Sequence, residues 1–300
     1  MSLRPTFAFC CAAWLLGASL AQASEAPAAA ARAPLQAVNT SAPLYAQLPA
    51  EVRKAGRLRF VGDSHPPYRI VGDDRQIHDG LDPDLARGIE RLLGVPIVHY
   101  PVNSLSAILA GLESGRYDVT MGPALATRER QLRFDGISWM VTKPSFVYPT
   151  SRPAHYERVE DLCGKKISYV AGSVTERHVN RVVERCVAAG RPASVHVPLV
   201  DTNMTLIATQ AGRADLAGMT LTAALHAVHV NGDRFKAFSD DSNSLGIDLL
   251  SLFVTKRSGL GPVMLQAMQM LMQSGEYQRV MDKWGVAGVS VQTSQLNAMK

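Results

Sequence analysis

Past residue 48 the apolar positions of this 300-residue chain alternate between two rhythms. Short runs rich in β-branched and aromatic residues are followed by stretches in which apolar residues recur every three or four positions, the mark of α/β architecture. Arg57 to Val61 is predicted as a strand. Asp82-Pro83 opens a helix, with Asp82 as its cap and Pro83 at the first helical position. Leu85, Ile89, Leu92 and Leu93 share one face and Gly94 closes it. A second helix carries Leu105, Ile108, Leu109 and Leu112 to Gly115, and Tyr117 to Met121 follows as a strand. After Gly246 an apolar strand, Ile247 to Val254, precedes a helix opened by Pro262. Its stripe of Val263, Met264, Ala267, Met268 and Leu271 belongs at helical spacing to a core. Trp284, at the end of a last short helix, is assigned to packing.

The pattern also repeats. Ser114-Gly115-Arg116-Tyr117-Asp118-Val119 is echoed by Ala211-Gly212-Arg213-Ala214-Asp215-Leu216, each ending an amphipathic helix and leading into a strand. Gly56-Arg57-Leu58-Arg59-Phe60-Val61-Gly62 has its counterpart in Gly164-Lys165-Lys166-Ile167-Ser168-Tyr169-Val170. Two lobes built alike are the natural inference.

Before residue 48 the rhythm is lost. Residues 24–48, rich in Ala, Pro, Ser and Thr, are expected to form a flexible leader. Arg4, the apolar run Phe7 to Leu16 and the small-residue site Ala21-Gln22-Ala23 read as a cleavable secretion signal over residues 1–23. The competing reading, a single membrane anchor, needs about 20 apolar residues, and this run is shorter.

A chain that is 47% hydrophobic and 19% charged has the composition of a globular protein and not of a disordered or collagenous one. Loss of Arg4 takes the formal net charge from +5 to +4 with no run of Lys and Arg, so nucleic acid is not expected as a partner. Two of the four cysteines leave with the signal. In an exported chain Cys163 and Cys186 are then expected to pair, tying a helix back to the start of the preceding strand. A catalytic dithiol would call for a CxxC spacing, which is absent. His226-x-x-His229 lacks third and fourth ligands at zinc-site spacing, and no P-loop, dinucleotide fingerprint or Gly-x-Ser-x-Gly occurs. Neither a metal nor a cofactor is expected.

The landmarks, in order, are Gly56-x-Leu58-x-Phe60-Val61-Gly62 with His65-Pro66-Pro67-Tyr68, Gly80-x-Asp82-x-Asp84-Leu85, and Leu112-x-Ser114-Gly115-x-Tyr117-Asp118-Val119. Then come Thr127-x-x-Arg130, Asp161-Leu162-x-Gly164-Lys165, Gly212-Arg213-Ala214-Asp215, Ser274-Gly275-x-Tyr277 and Lys283-Trp284. This series resembles the periplasmic solute-binding proteins of ABC transporters, amino-acid type (family 3), over nearly the whole mature chain. The resemblance implies a type II periplasmic-binding-protein-like fold of two hinge-connected α/β lobes, 49–148 plus 247–300 and 149–246, with a cleft between them. It implies a periplasmic monomer without enzymatic activity that captures a small carboxylate-bearing solute, an amino acid or related compound, and delivers it to an ABC permease. Periplasmic cyclohexadienyl dehydratases are similar in fold, but no Glu in the lobe-two segments matches their general acid. A sensor or accessory protein acting in trans is the third class.

Within that frame Arg130, three residues after the capping Thr127, is placed to take a carboxylate bidentately, as the arginine of this motif does in the family. A surface arginine paired with Glu129 or Asp135 is the alternative. Gly172-Ser173-Val174 follows a strand and opens a helix, so its N–H groups and the Ser173 hydroxyl could meet an anion. A plain turn capped by Ser173 or Thr175 is the alternative. His65 and Tyr68 stand where similar proteins carry aromatic rings against the ligand, and Leu125 and Thr220 complete the expected lining. Similar binders place hydroxyl residues in the segment that here reads Gly122-Pro123-Ala124-Leu125-Ala126. They also place an Asp, partner of the ligand's ammonium, in the segment that here reads Met219-Thr220-Leu221. A carboxylate-bearing solute fits this set better than a standard α-amino acid, unless Asp240 or Asp241 substitutes. Asp82 and Asp84 match family positions too, but capping and solvation account for them.

Overall fold

A computed structural model describes residues 37–152 and 155–299. The first half of lobe one runs α1 (Ala50–Ala55), β1 (Leu58–Gly62), β2 (Ile70–Val71), β3 (Ile77–Asp79), α2 (Leu81–Leu93), β4 (Ile97–Pro101), α3 (Leu105–Glu113), β5 (Val119–Leu125), α4 (Arg128–Arg133) and β6 (Phe134–Thr142). Lobe two follows as β7 (Pro144–Pro149), β8 (Lys166–Val170), α5 (Val174–Ala188), β9 (Val195–Leu199), α6 (Thr202–Gln210), β10 (Leu216–Thr220), α7 (Leu221–Asn231) and β11 (Phe235–Ser239). The chain then returns to lobe one with β12 (Asp248–Thr255), α8 (Gly261–Gln273) and α9 (Glu276–Lys283).

The two main sheets have the same plan. In lobe one the order is β4-β1-β5-β12-β6, with β1 parallel to β4 and β5, and β12 antiparallel to β5 and β6. In lobe two it is β9-β8-β10-β7-β11, with β8 parallel to its two neighbours and β7 antiparallel to β10 and β11. The sequence echo has a physical basis in this plan. The Asp118 carboxylate accepts the Arg59 N–H (2.7 Å) while the Asp118 N–H donates to the Arg59 carbonyl (2.9 Å). In lobe two the Asp215 carboxylate accepts the Lys166 N–H (2.8 Å) and the Asp215 N–H donates to the Lys166 carbonyl (2.8 Å). Each Asp thus holds the first parallel strand to the segment that leads into its central neighbour.

The lobe-one core centres on Trp139, which is fully buried. Its indole N–H donates to the Met121 carbonyl (2.9 Å), and its own carbonyl accepts the Tyr277 hydroxyl (2.6 Å). Met264 and Met268 are buried in this core with Ala267 and Leu271. The C-terminal segment lies along the outer edge of β6, where Ser138 N–H donates to the Gln295 carbonyl (2.9 Å) and Asn297 N–H to that of Gly136 (2.7 Å). The edge is thereby paired.

Two expectations are corrected here. Residues 37–48, assigned to the flexible leader, pack on lobe one: Leu44 and Leu48 are buried, and Leu44 N–H donates to the Leu92 carbonyl (2.9 Å). Two leucines four apart around a single turn outweigh the small-residue composition. The rest of the leader and the signal sequence lie outside the described residues. Asp82 is not a cap, because α2 begins one residue earlier. Gly80 stands at the helix entrance with φ 140°, where a Cβ would lie 2.3 Å from the Tyr68 carbonyl oxygen. Asp82 and Asp84 are both buried. Asp84 pairs with Arg87 and accepts from Lys283 Nζ (2.7 Å) and Trp284 Nε1 (2.7 Å), so Trp284 fixes α2 to the end of α9 as well as packing.

The Cys163–Cys186 disulfide is present and joins α5 to the segment before β8 across 23 residues. Replacing both cysteines with serine is expected to lower stability by about 3 kcal/mol, read from urea midpoints of oxidised wild type and variant. A second outcome concerns pH. Burial, with Arg69 and Arg87 nearby, pulls His99 down to about 4. The unfolded chain therefore holds this proton at a pH where the folded chain does not. Stability is full above the unfolded value of about 6.5 and is lost as pH falls toward 4. Between pH 7.5 and 4.5 wild type is expected to lose on the order of 2 kcal/mol more than His99→Phe, and equal losses in urea titrations would contradict this.

Candidate ligand-binding cleft

A cavity of 460 Å³ lies between the lobes. Lobe one supplies Asp63, His65 and Arg69 from the loop after β1, Asn103 to Ser106 with Ile108 and Leu109 around the start of α3, Gly122 and Pro123 of β5, and Arg130 of α4. Lobe two supplies Val170 to Ser173, where β8 passes into α5, and Leu199 and Val200 at the end of β9.

Arg130 is set by its own helix start. Thr127 caps α4 by accepting the Arg130 N–H (3.1 Å), and the guanidinium turns back to donate to the Leu125 carbonyl (2.8 Å). It also reaches across the cleft to the Gly172 carbonyl of lobe two (3.4 Å). Both acceptors are uncharged, no carboxylate lies within ion-pair distance among the described residues, and burial lowers the Arg130 pKa. A half-buried cation satisfied only by carbonyls has unspent electrostatic capacity for an anion.

The facing turn is less available than its sequence suggests. The Gly172 N–H donates to the Glu176 carboxylate (2.6 Å). Ser173 caps α5, accepting the Thr175 N–H (3.2 Å) while its hydroxyl donates to the Val170 carbonyl (2.6 Å). The capping role is the one seen, and Ser173 lines the cavity while performing it.

His65 also lines the cavity. Its Nδ1 is 3.4 Å from the Thr202 hydroxyl of lobe two and 3.7 Å from the Asp63 carboxylate. The other four expected residues stand back from the cavity wall. Tyr68 is fully buried, edge-on to His65 and Trp139, and burial pushes its hydroxyl up to about 12. Val174 packs into the lobe-one core although it belongs to α5. The Leu125 side chain is buried in that same core, and only its carbonyl serves Arg130. Thr220 caps α7 by accepting the Ala223 N–H (3.3 Å) and bounds a separate small void beside His65.

Sequence reasoning missed the group behind His65. Arg69, 2% exposed, donates from Nη2 to the Asp63 carboxylate (2.6 Å), from Nε to the Asp63 carbonyl (2.8 Å), and pairs through Nη1 with Asp82. Two carboxylates share one guanidinium. Burial works against ionisation of both, but His65 and Arg69 outweigh it at Asp63 and hold that carboxyl well below the usual range. Deeper Asp82, one oxygen of which has no partner among the described residues, is pushed up to about 7 by burial against the pull of Arg69. Asp63, His65 and Arg69 sit within seven residues, and that density of charge beside two prolines was the available clue.

Comparison with known proteins agrees with this geometry. Over residues 58–287 the chain matches the family model of bacterial extracellular solute-binding proteins, family 3. It is 24% identical over 245 residues to an arginine-binding protein of Corynebacterium glutamicum, a match that spans 81% of this chain and 79% of that protein. An ancestral arginine-binding protein bound to arginine superposes with TM-score 0.64 at 25% identity, covering 76% of this chain and 98% of that one. The fold alone is shared with an ancestral amino-acid-binding protein, a precursor of cyclohexadienyl dehydratase, at TM-score 0.66 and 19% identity over 78% of this chain and 97% of that one. With two similarly built α/β lobes facing each other across a cationic cavity, the chain belongs to the bacterial extracellular solute-binding proteins of family 3.

Proposed function

We propose that this protein is a monomeric periplasmic binding protein, exported by its cleavable signal, that clamps a small carboxylate-bearing solute in the interlobe cavity and presents it to an ABC permease. Arg130 carries this reading. It is a cation without a carboxylate partner among the described residues, bonded to carbonyls of both lobes, and a carboxylate bound there would gain charge-assisted hydrogen bonds that those carbonyls do not provide. The names of the relatives support an amino acid or a related compound as the solute. Binding without reaction is supported by the relatives, which are named as binding proteins. A solute touching both lobes stabilises their contact, and only one that binds the closed form better can drive closure.

The test is calorimetric titration of the purified mature chain with amino acids, 2-oxo acids, dicarboxylates and opine-like compounds, preceded by thermal-shift screening. At least one carboxylate is expected to bind saturably, and Arg130→Ala to weaken it about tenfold to a hundredfold. Binding that survives Arg130→Ala unchanged would refute the assignment of the carboxylate. Ser173→Ala is expected to act elsewhere, lowering stability by about 1 kcal/mol through the lost cap while affinity changes little.

A further inference from the structure

Behind the cleft, where the chain crosses between lobes, a second group of ionisable side chains, gathered around a buried carboxylate, takes no part in lining the cavity. Asp248 is the first residue of β12 and pairs in register with Thr142, the last residue of β6, so it sits where both connections meet lobe one. It is 5% exposed. From lobe two, helix α5 directs three side chains at it. Arg181 donates from Nη1 (2.7 Å) and Nη2 (2.8 Å) to the two carboxylate oxygens, the fully buried His178 ring contacts Oδ2 through Nε2 (2.9 Å), and Arg177 stands 3.7 Å away. Arg181 also donates to the carbonyl of Leu245 in the second connection (2.7 Å). Burial opposes the Asp248 charge, but His178 and Arg181 outweigh it and hold the carboxyl below its ordinary range.

The position of this group matters because of what else α5 carries. Its first turn, at Ser173, lines the cavity, and Val174 packs into the lobe-one core. One rigid helix therefore presents the lobe-two side of the ligand site at one end and grips the root of a crossing strand one to two turns later. We infer that Asp248 is a positioning residue for closure: through Arg181 and His178 it locks α5 to the crossing strand and thereby sets the angle at which the Gly172-Ser173 turn meets Arg130. An ion pair built on a buried carboxylate contributes little to stability compared with an apolar packing of equal volume, but it strongly disfavours geometries that leave the carboxylate without its partner. Placed at a hinge, that property selects one interlobe angle over others. The inference concerns the angle itself and holds for any solute in the cleft.

Single-molecule energy transfer on the full mature chain without ligand tests it, with dyes on cysteines introduced at exposed Leu132 of lobe one and exposed Val230 of lobe two. Asp248→Asn and, separately, Arg181→Met are expected to lower the ratio of closed to open molecules about tenfold, whereas His178→Gln, which keeps a donor toward Asp248, stays within about twofold of wild type. Circular dichroism checks that each variant is folded, and a purely structural role would not move the ratio among folded molecules. An unchanged ratio in a folded Asp248→Asn or Arg181→Met variant overturns the inference. Loss of the fold in both variants also overturns it, by assigning the cluster to stability alone.

Discussion

The Arg69 guanidinium holds together the part of lobe one on which the cleft depends. It is buried within the cavity wall, shared by Asp63 in the loop and Asp82 in the first turn of α2, so one side chain fixes the end of β1, the loop that carries His65, and the start of α2. The backbone has adapted to it. A Cβ at Gly62 would lie 2.2 Å from Arg69 Nε, and Gly80 lets the chain pass the Tyr68 carbonyl. Removing the arginine would leave two buried acids facing each other without the cation they share. The wall of the cleft is therefore an electrostatic construction before it is an apolar one.

How much of this the residues announce in advance depends on whether a position has one physical use or several. The two-lobe plan was legible because the echoed Gly-Arg-x-Asp segments have a single use: in both lobes the Asp closes the same pair of hydrogen bonds onto the first strand. Thr127 is legible as a cap for a similar reason, its hydroxyl accepting the Arg130 N–H at the helix start. At Asp82 and Asp84 the sequence is ambiguous, because an Asp at a helix N-terminus serves equally well as a cap or as a buried ion-pair partner, and the deciding partners, Arg69 for Asp82 and Lys283 for Asp84, lie outside the helix. Tyr68 and Val174 flank true cavity residues, and alternation along an irregular segment does not reveal which of two neighbours turns toward the void. Leu44 and Leu48 show the opposite limit, where composition spoke for disorder and two side chains decided otherwise.

At the cleft, charge is distributed unevenly between the lobes. Lobe one brings Arg130, Arg69, Asp63 and His65, whereas the lobe-two lining consists of Val170, Ala171, Gly172, Ser173, Leu199 and Val200. The side chains able to orient a charged solute thus stand in lobe one, and lobe two faces them with backbone groups and apolar surface. Such a division suits a binding protein, because the first encounter needs long-range attraction and the closing step needs desolvation, which strengthens the charge interactions already made.

The path of the chain through the two sheets bears on how the molecule comes into being. Strand β12 is wedged between β5 and β6, with Val254 opposite Val119, so the lobe-one sheet cannot be completed until the chain has been supplied through residue 255. Lobe two, from β7 to β11, is one uninterrupted stretch with its own disulfide and its own core. A polypeptide delivered from its N-terminus, as an exported one is, can therefore finish its inserted half while its first half still waits with an open gap in the sheet. The half that carries the charges of the cleft is the last to become whole.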